Sequence, residues 1–158
     1  MHTAKPLALR FKEVILDGRW VAYTNFKDQI DDLDMAKATT KIGSLNTIAA
    51  LTFHVNYYIA GVLQVLKGGS LDIRDKYSFE MPALKDDLDW VKLKNDLFQN
   101  ARAFTEQLEL LTEEQLKSHF VQEEYGSYQR NMDGMIEHCY YHLGQVVLIK
   151  KLILEKDA

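Results

Sequence analysis

Two histidines near the C-terminal end of the sequence, His138 and His142, are spaced four residues apart in a segment with a helical pattern. One turn of an α-helix takes about 3.6 residues, so both imidazoles project from the same face and can bind one metal ion together. A catalytic zinc-type centre usually has three protein ligands and one exchangeable water. The third ligand must then come from a neighbouring helix, and His54, in a second helical segment far upstream, is the candidate.

The metal interpretation has plain alternatives. A histidine pair at this spacing is often just two surface or partly buried residues, and His54, which lies beside Val55 and near Leu51, could be a hydrogen-bonded core residue. A zinc protease would need a glutamate directly after the first histidine of the pair, where this chain has Cys139. A di-iron bundle would need a glutamate three residues before a histidine, and none of the five histidines has one.

The order and spacing of these residues resemble a known family. A lone histidine in residues 51–58, followed near the C-terminus by a His-x-x-x-His-x-Gly-Gln run that ends at Gln145, is similar to the DinB/YfiT superfamily. The similarity covers most of the chain. It implies a four-helix bundle in which His54, His138 and His142 bind a divalent metal, and a thiol-dependent transferase or isomerase activity. Members of one fold can differ in chemistry, so the resemblance does not identify a substrate.

A centre with three neutral imidazoles leaves the full charge on the ion, which makes it a strong Lewis acid. Zinc or nickel, and also cobalt or ferrous iron, suit such ligands, whereas magnesium and calcium prefer oxygen. The resemblance implies that the ion binds a low-molecular-weight thiol and holds it against a small-molecule electrophile. Two alternatives stay open: a metal-dependent hydrolase that uses water, and a non-catalytic dimeric helical bundle in which the metal is structural or absent.

Other residues are candidates for a pocket around the metal. Gln145 shares the helix face of the histidine pair and could orient a ligand or close a helix contact. Tyr58 and Tyr141 lie within one turn of the ligands and could donate a hydrogen bond to a substrate, although tyrosines at helical spacing are more often core residues. Trp20 and Asn25, in an irregular segment after the first helix, could form a pocket wall.

Composition limits the class of protein. The 158 residues fit one domain, residues 1–158, with its own core. The net charge is −4 and the basic residues are scattered, so we expect no nucleic-acid partner. A single cysteine forms no intramolecular disulfide, and no apolar signal-peptide core follows Met1, so we expect a cytoplasmic protein.

Residues 42–66 contain no charged side chain and are long enough to cross a bilayer. Polar residues in this stretch, among them His54, Asn56 and Gln64, would be costly in hydrocarbon. The sequence therefore predicts a buried helix and no membrane association. Such a helix could be covered by the bundle on one face and by a second subunit on another, so we expect a homodimer.

The chain is predicted to be all-α: a four-helix bundle with short additional helical segments, since no alternating run indicates a strand. The first half of the chain is predicted to form a helix from after Pro6 to near Gly18, a short helix over 26–33, and a long helix capped by Ser44 or Asn46 and ending at Gly68. A connection over 70–85 follows. The second half is predicted to form a helix capped by Asp86 or Asp87, a brief helix opened by a capping box at 112–115, and a last helix capped by Asn131 and ending near Glu155. The three histidines then lie on the second and fourth long helices, which must face each other.

Overall fold

The computed structural model describes residues 4–157, and within them the chain is all-helical, with no strand. The helices are α1 (Ala4–Lys12), α2 (Phe26–Ile30), α3 (Met35–Ala38), α4 (Ile48–Leu66), α5 (Asp87–Leu110), α6 (Glu113–Lys117) and α7 (Tyr128–Asp157). A π-helical turn, Glu13–Asp17, continues α1, and single 3₁₀ turns lie at Asp75–Tyr77 and Glu123–Tyr125. The prediction of an all-α chain is confirmed for these residues.

Helices α1, α4, α5 and α7 contribute to one apolar core. Helix α4 lies against α5 and α7, and α1 also contacts α5 and α7. The largest fully buried side chains include Phe11 of α1, Ile59 of α4, and Trp90 and Phe104 of α5, and α7 adds smaller buried side chains such as Val146. The packing of α4 against α7 brings together the two helices that carry the histidines.

Helix α4 is the one described helix that is long and apolar enough to span a membrane, but 61% of that stretch is buried inside the protein. Its polar groups have partners there: the Thr52 hydroxyl donates to the Ile48 carbonyl, and Asn56 accepts a hydrogen bond from Asn100. A position in the core between α5 and α7 therefore accounts for its apolar composition. The predicted cover by a second subunit stays a prediction.

Side chains that accept a backbone N–H begin most of the helices, as the sequence suggested, but two of the residues differ. Helix α4 is capped by Thr47, whose hydroxyl accepts from Ala50, and not by Ser44 or Asn46. Helix α7 begins at Tyr128, where the Ser127 hydroxyl accepts from the Arg130 N–H. The predicted cap of α7, Asn131, lies inside the helix and donates to the Tyr125 and Ser127 carbonyls.

The remaining boundaries follow the predicted pattern with small shifts. Helix α1 includes Pro6, which is tolerated in a first helical turn because its missing N–H would have no partner there. Asp86 caps α5, and Thr112 opens α6 with a complete capping box. Helix α4 ends before Gly68, whose φ of 87° is in the left-handed region that favours glycine. Helix α2 ends at Ile30, and α3 was not predicted.

Candidate metal centre

Three imidazoles from α4 and α7 converge between these two helices. The Nε2 atom of His138 lies 3.1 Å from Nε2 of His54 and 3.0 Å from Nε2 of His142. The ligand atoms of all three histidines lie within 4.8 Å of one another. His54 and His142 are buried and His138 is half-buried. The sequence prediction that the upstream histidine meets the C-terminal pair is confirmed, and the three lie close enough to bind one metal ion.

The two nitrogen separations at His138 are close to those found around one transition-metal ion. With metal–nitrogen bonds of about 2.1 Å, two nitrogens are about 3.0 Å apart on an octahedral face and about 3.4 Å apart in a tetrahedron. The two contacts of His138 equal the octahedral value or lie a few tenths of an ångström below the tetrahedral one. The third pair, His54 and His142, has its ligand atoms within 4.8 Å of each other.

The Nδ1 atoms of two histidines point away from the cluster, and their hydrogen bonds fix the direction of the Nε2 lone pairs of the same rings. His54 donates its Nδ1–H to the carbonyl of Ser78 at 3.3 Å, and His142 donates its Nδ1–H to Oε1 of Gln145 at 2.7 Å. Both acceptors are oxygens, so the proton of each neutral ring is on Nδ1 and the lone pair is on Nε2. Such an outer partner is the usual way in which metal-binding histidines are oriented.

His138 therefore faces two lone pairs at once. A proton on its Nε2 can be shared between them, with His138 as the donor to both. A cation between the three nitrogens would instead accept three lone pairs, with the His138 proton on Nδ1. The arrangement is thus suited to a positive charge at the point where the three Nε2 atoms meet.

Burial keeps these rings neutral. Burial, followed by the neighbouring imidazoles of His142 and His54, lowers the pKa of His138 to about 4. Burial also lowers the pKa of His54, with His142 adding to the effect, and lowers the pKa of His142, where the hydrogen bond to Gln145 acts in the opposite direction. Only a neutral imidazole is a metal ligand, so at neutral pH all three are in the form that binds.

Aromatic rings surround the histidines. Phe79 stacks on His54 with the ring centroids 3.9 Å apart, and Tyr58 meets both His54 and His138 edge-on at 5.1 Å. The Tyr58 hydroxyl donates to the carboxylate of Asp75 at 2.8 Å, so this hydroxyl already has a protein partner. Tyr141 lies edge-on against His142 at 4.9 Å and is 66% exposed, so of the two predicted tyrosines it is the one open to a ligand from solvent.

Gln145 links the histidines to a cavity of about 350 Å³ one turn along the groove between α4 and α7. The cavity is lined by Ser44, Leu45, Asn46, Leu51, Gln145, Leu148 and Ile149, none of which is charged and none of which is a histidine. The side-chain oxygen of Gln145 thus accepts from His142, and the same residue lines the cavity. Its two predicted roles, to orient a ligand or to close a helix contact, stay predictions.

Trp20 and Asn25 were predicted as a pocket wall, and the structure does not bring them to the histidines. Trp20 is 85% exposed and lines a separate cavity with Arg10 of α1 and Glu137 and Tyr140 of α7, and no histidine lines that cavity. Asn25 is buried and caps α2, accepting from the Asp28 N–H and donating to the Gly18 carbonyl. Its side chain has a structural role because both of its polar atoms are engaged.

The sequence pattern did not identify the residues that complete the surroundings of His54. Ser78, Phe79 and Asp75 all lie in the connection between α4 and α5, which has no helical period. The only available signal was the length of that connection, because long loops in compact domains are often functional. Every residue has a backbone carbonyl, so the sequence does not predict that the carbonyl of Ser78 accepts from His54.

Comparisons of the chain with protein-family models, curated proteins and solved structures find no match. They neither support nor exclude the family that the histidine pattern resembles. What the described residues establish is an all-helical chain with three histidines close enough to bind one metal ion.

Proposed function

We propose that this protein is a divalent-metal-dependent enzyme with a four-helix bundle fold of the DinB/YfiT type, and that His54, His138 and His142 are the metal ligands. The observation that carries the proposal is the convergence of three Nε2 atoms, two of which have their lone pairs aimed inward by Nδ1–H donors. The resemblance of the histidine pattern adds the activity, a thiol-dependent transfer to a small-molecule electrophile.

Zinc or nickel is the proposed native metal, with cobalt or ferrous iron also compatible with three imidazoles. Bound there, the ion would lower the pKa of a thiol or water at its open position. The chain would contribute ligand geometry: Gln145 and Ser78 hold two of the imidazoles in orientation. Phe79 and Tyr141, both exposed, lie against His54 and His142. The group of possible metal ligands found among the described residues contains histidines and no carboxylate. An anion such as a thiolate would therefore offset the charge of the ion.

Two other functions remain as alternatives. A hydrolase would use the same site with water in place of the thiol. A non-catalytic bundle, dimeric through α4, would have a structural metal or none. A structural ion is normally coordinated by four protein ligands and its removal unfolds the domain, whereas loss of a catalytic ion should spare the fold. The three ligand atoms found together here favour an ion with an open position.

Metal binding is tested by elemental analysis of untagged protein together with three variants, His54→Ala, His138→Ala and His142→Ala. We expect about one divalent transition-metal ion per chain and loss of stoichiometric binding in each variant, with helix content by circular dichroism largely unchanged. His119→Ala is the matched control, because His119 is exposed and lies outside the cluster. Full metal occupancy in all three cluster variants would show that the ligand assignment is wrong.

The activity is tested separately, by incubating metal-loaded protein with physiological thiols and a panel of electrophiles. Conjugation faster than the uncatalysed rate, and dependent on the metal, is expected for a transferase. If no thiol is conjugated but esters or amides are cleaved, the hydrolase alternative replaces it. We further propose a cytoplasmic homodimer that acts on a small molecule, without a nucleic-acid or membrane partner.

A further inference from the structure

A short segment of the connection between α4 and α5 runs along α4 and ends on His54. We call this segment, residues 72–79, the strap. Its polar contacts begin at Gln64, whose amide donates to the Asp72 carboxylate at 3.0 Å. They continue at Tyr57, whose hydroxyl donates to the Arg74 carbonyl at 3.0 Å and accepts from the Arg74 N–H at 2.8 Å. The strap is therefore bound to α4 at two points about two helical turns apart before it reaches the histidine.

The last contacts of the strap are made with the candidate metal centre itself. Asp75 accepts from the Tyr58 hydroxyl, and its carbonyl accepts from the Ser78 hydroxyl, both at 2.8 Å. Ser78 and Phe79 then hold His54, the first by accepting its Nδ1–H and the second by stacking on its ring. Of the three histidines, His54 is the one whose outer partner comes from a different segment of the chain, since Gln145 is on the same helix as His142.

One glycine allows the strap to lie this close to α4. Gly61 is in the middle of the helix, where glycine is unfavourable and needs a packing reason. A Cβ atom at this position would overlap Cγ2 of Ile73 and lie 2.9 Å from its Cδ1. The three atoms nearest to that Cβ all belong to the Ile73 side chain beyond its own Cβ, so the fit depends on this one pair.

We propose that the strap is the element that positions His54 for metal binding, and that Gly61 is a positioning residue which acts on the centre through Ile73. This inference rests on the proposed metal-binding function. It adds the segment that holds one metal ligand, His54, in the orientation that binds the ion. A side chain at Gly61 pushes Ile73 and the strap away from α4, about two helical turns from His54. The Ser78 carbonyl and the Phe79 ring then move off His54, which becomes free to rotate.

The test uses Gly61→Ala, the double variant Gly61→Ala with Ile73→Ala, and Gly134→Ala as the matched control. Gly134 is also a helical glycine, in α7, but an added Cβ there meets nothing within 4 Å. Alanine favours a helix over glycine, so Gly61→Ala does not weaken α4 by its own propensity. In the double variant, the three Ile73 atoms nearest to the added Cβ are absent.

Two readouts separate the strap from the proposed function. The first is the ¹⁵N spectrum of the histidine rings in metal-free protein at about pH 7.5, where we expect His54 to be a fixed Nδ1–H tautomer in the wild type and an averaging mixture in Gly61→Ala. His142 should keep its Nδ1–H signal in both proteins, because its partner is Gln145. The second readout is the Kd for zinc, which should weaken about 10–100-fold in Gly61→Ala, the usual effect of losing an outer partner of a ligand.

The double variant should recover most of the zinc affinity and the His54 tautomer, and Gly134→Ala should match the wild type. The inference is overturned if Gly61→Ala keeps the fixed His54 signal, if His142 is altered equally, or if the double variant is no better than the single one. Should the wild type bind no zinc, the proposed function fails while the ring spectra still decide whether the strap positions His54.

Discussion

The hydrogen bond between His142 and Gln145 offers the most specific test of the centre, because two substitutions at Gln145 should shift metal affinity in opposite directions. Oε1 of Gln145 accepts the His142 Nδ1–H at 2.7 Å. Gln145→Leu removes this acceptor and leaves a similar volume beside the cavity. Gln145→Glu places a carboxylate on the same N–H, which strengthens the hydrogen bond because the acceptor is charged.

The magnitudes follow from the geometry. Loss of an outer partner typically weakens metal binding about 10–100-fold, which is about 1.4–2.7 kcal/mol, and this is the expectation for Gln145→Leu. In Gln145→Glu the new charge would be about 6 Å from the ion, across the imidazole ring. A charge of −1 and an ion of +2 at that separation attract by about 1.4 kcal/mol even at the dielectric constant of water, so binding should tighten about tenfold.

Competition between the protein and a chromophoric chelator for zinc, at about pH 7.5 and constant ionic strength, measures both variants against the wild type. Gln99→Leu is the matched control, since Gln99 is exposed on α5 and away from the histidines. If Gln145→Leu binds zinc as tightly as the wild type, or if Gln145→Glu binds more weakly, the hydrogen bond does not orient a metal ligand and the reasoning is refuted.

Two predictions concern the stability of the fold. Burial lowers the pKa of His138 from about 6.5 in an unfolded chain to about 4 in the folded protein, so the unfolded state binds the proton more tightly and the free energy of unfolding falls as the pH drops from about 6.5 towards 4. The urea midpoint of metal-free protein should therefore drop less between about pH 7.5 and 5 in His138→Gln than in the wild type; an equal drop would contradict the low pKa. Thr47→Ala should lower the free energy of unfolding by about 1 kcal/mol through loss of the α4 cap, whereas Ser44→Ala and Asn46→Ala should leave the thermal midpoint nearly unchanged. Equal effects at all three positions would place the cap elsewhere.

Helical periodicity explains why part of the centre could be predicted from the sequence. The spacing of His138 and His142 fixes their common face in any helix, whatever its neighbours. The position of His54 needed one more step, the packing of α4 against α7, which followed from the order of the long helices and the resemblance of the motif. The cap of α5 was likewise predictable from the sequence, because an aspartate stands directly before the helix at Asp86.

The parts that were missed depend on contacts that have no sequence period. The path of the strap is set by hydrogen bonds of Tyr57 and Tyr58 and by the small size of Gly61, and none of these predicts a particular loop on its own. The cap of α4 was misplaced because Ser44, Asn46 and Thr47 are all suitable capping residues, and only the backbone decides among them. Trp20 was a candidate for a pocket wall because it lies in the irregular segment after the first helix, and the position of a residue in such a segment gives no direction for an exposed side chain.

X-ray absorption spectroscopy of zinc-loaded, untagged protein tests the central claim most directly, because it counts and identifies the atoms bound to the ion. The structure predicts three imidazole nitrogens at about 2.0–2.1 Å, with the remaining coordination from solvent or added thiol, and two imidazoles in His54→Ala. A first shell with fewer than three imidazoles in the wild type, or an unchanged shell in His54→Ala, would contradict a metal centre formed by His54, His138 and His142.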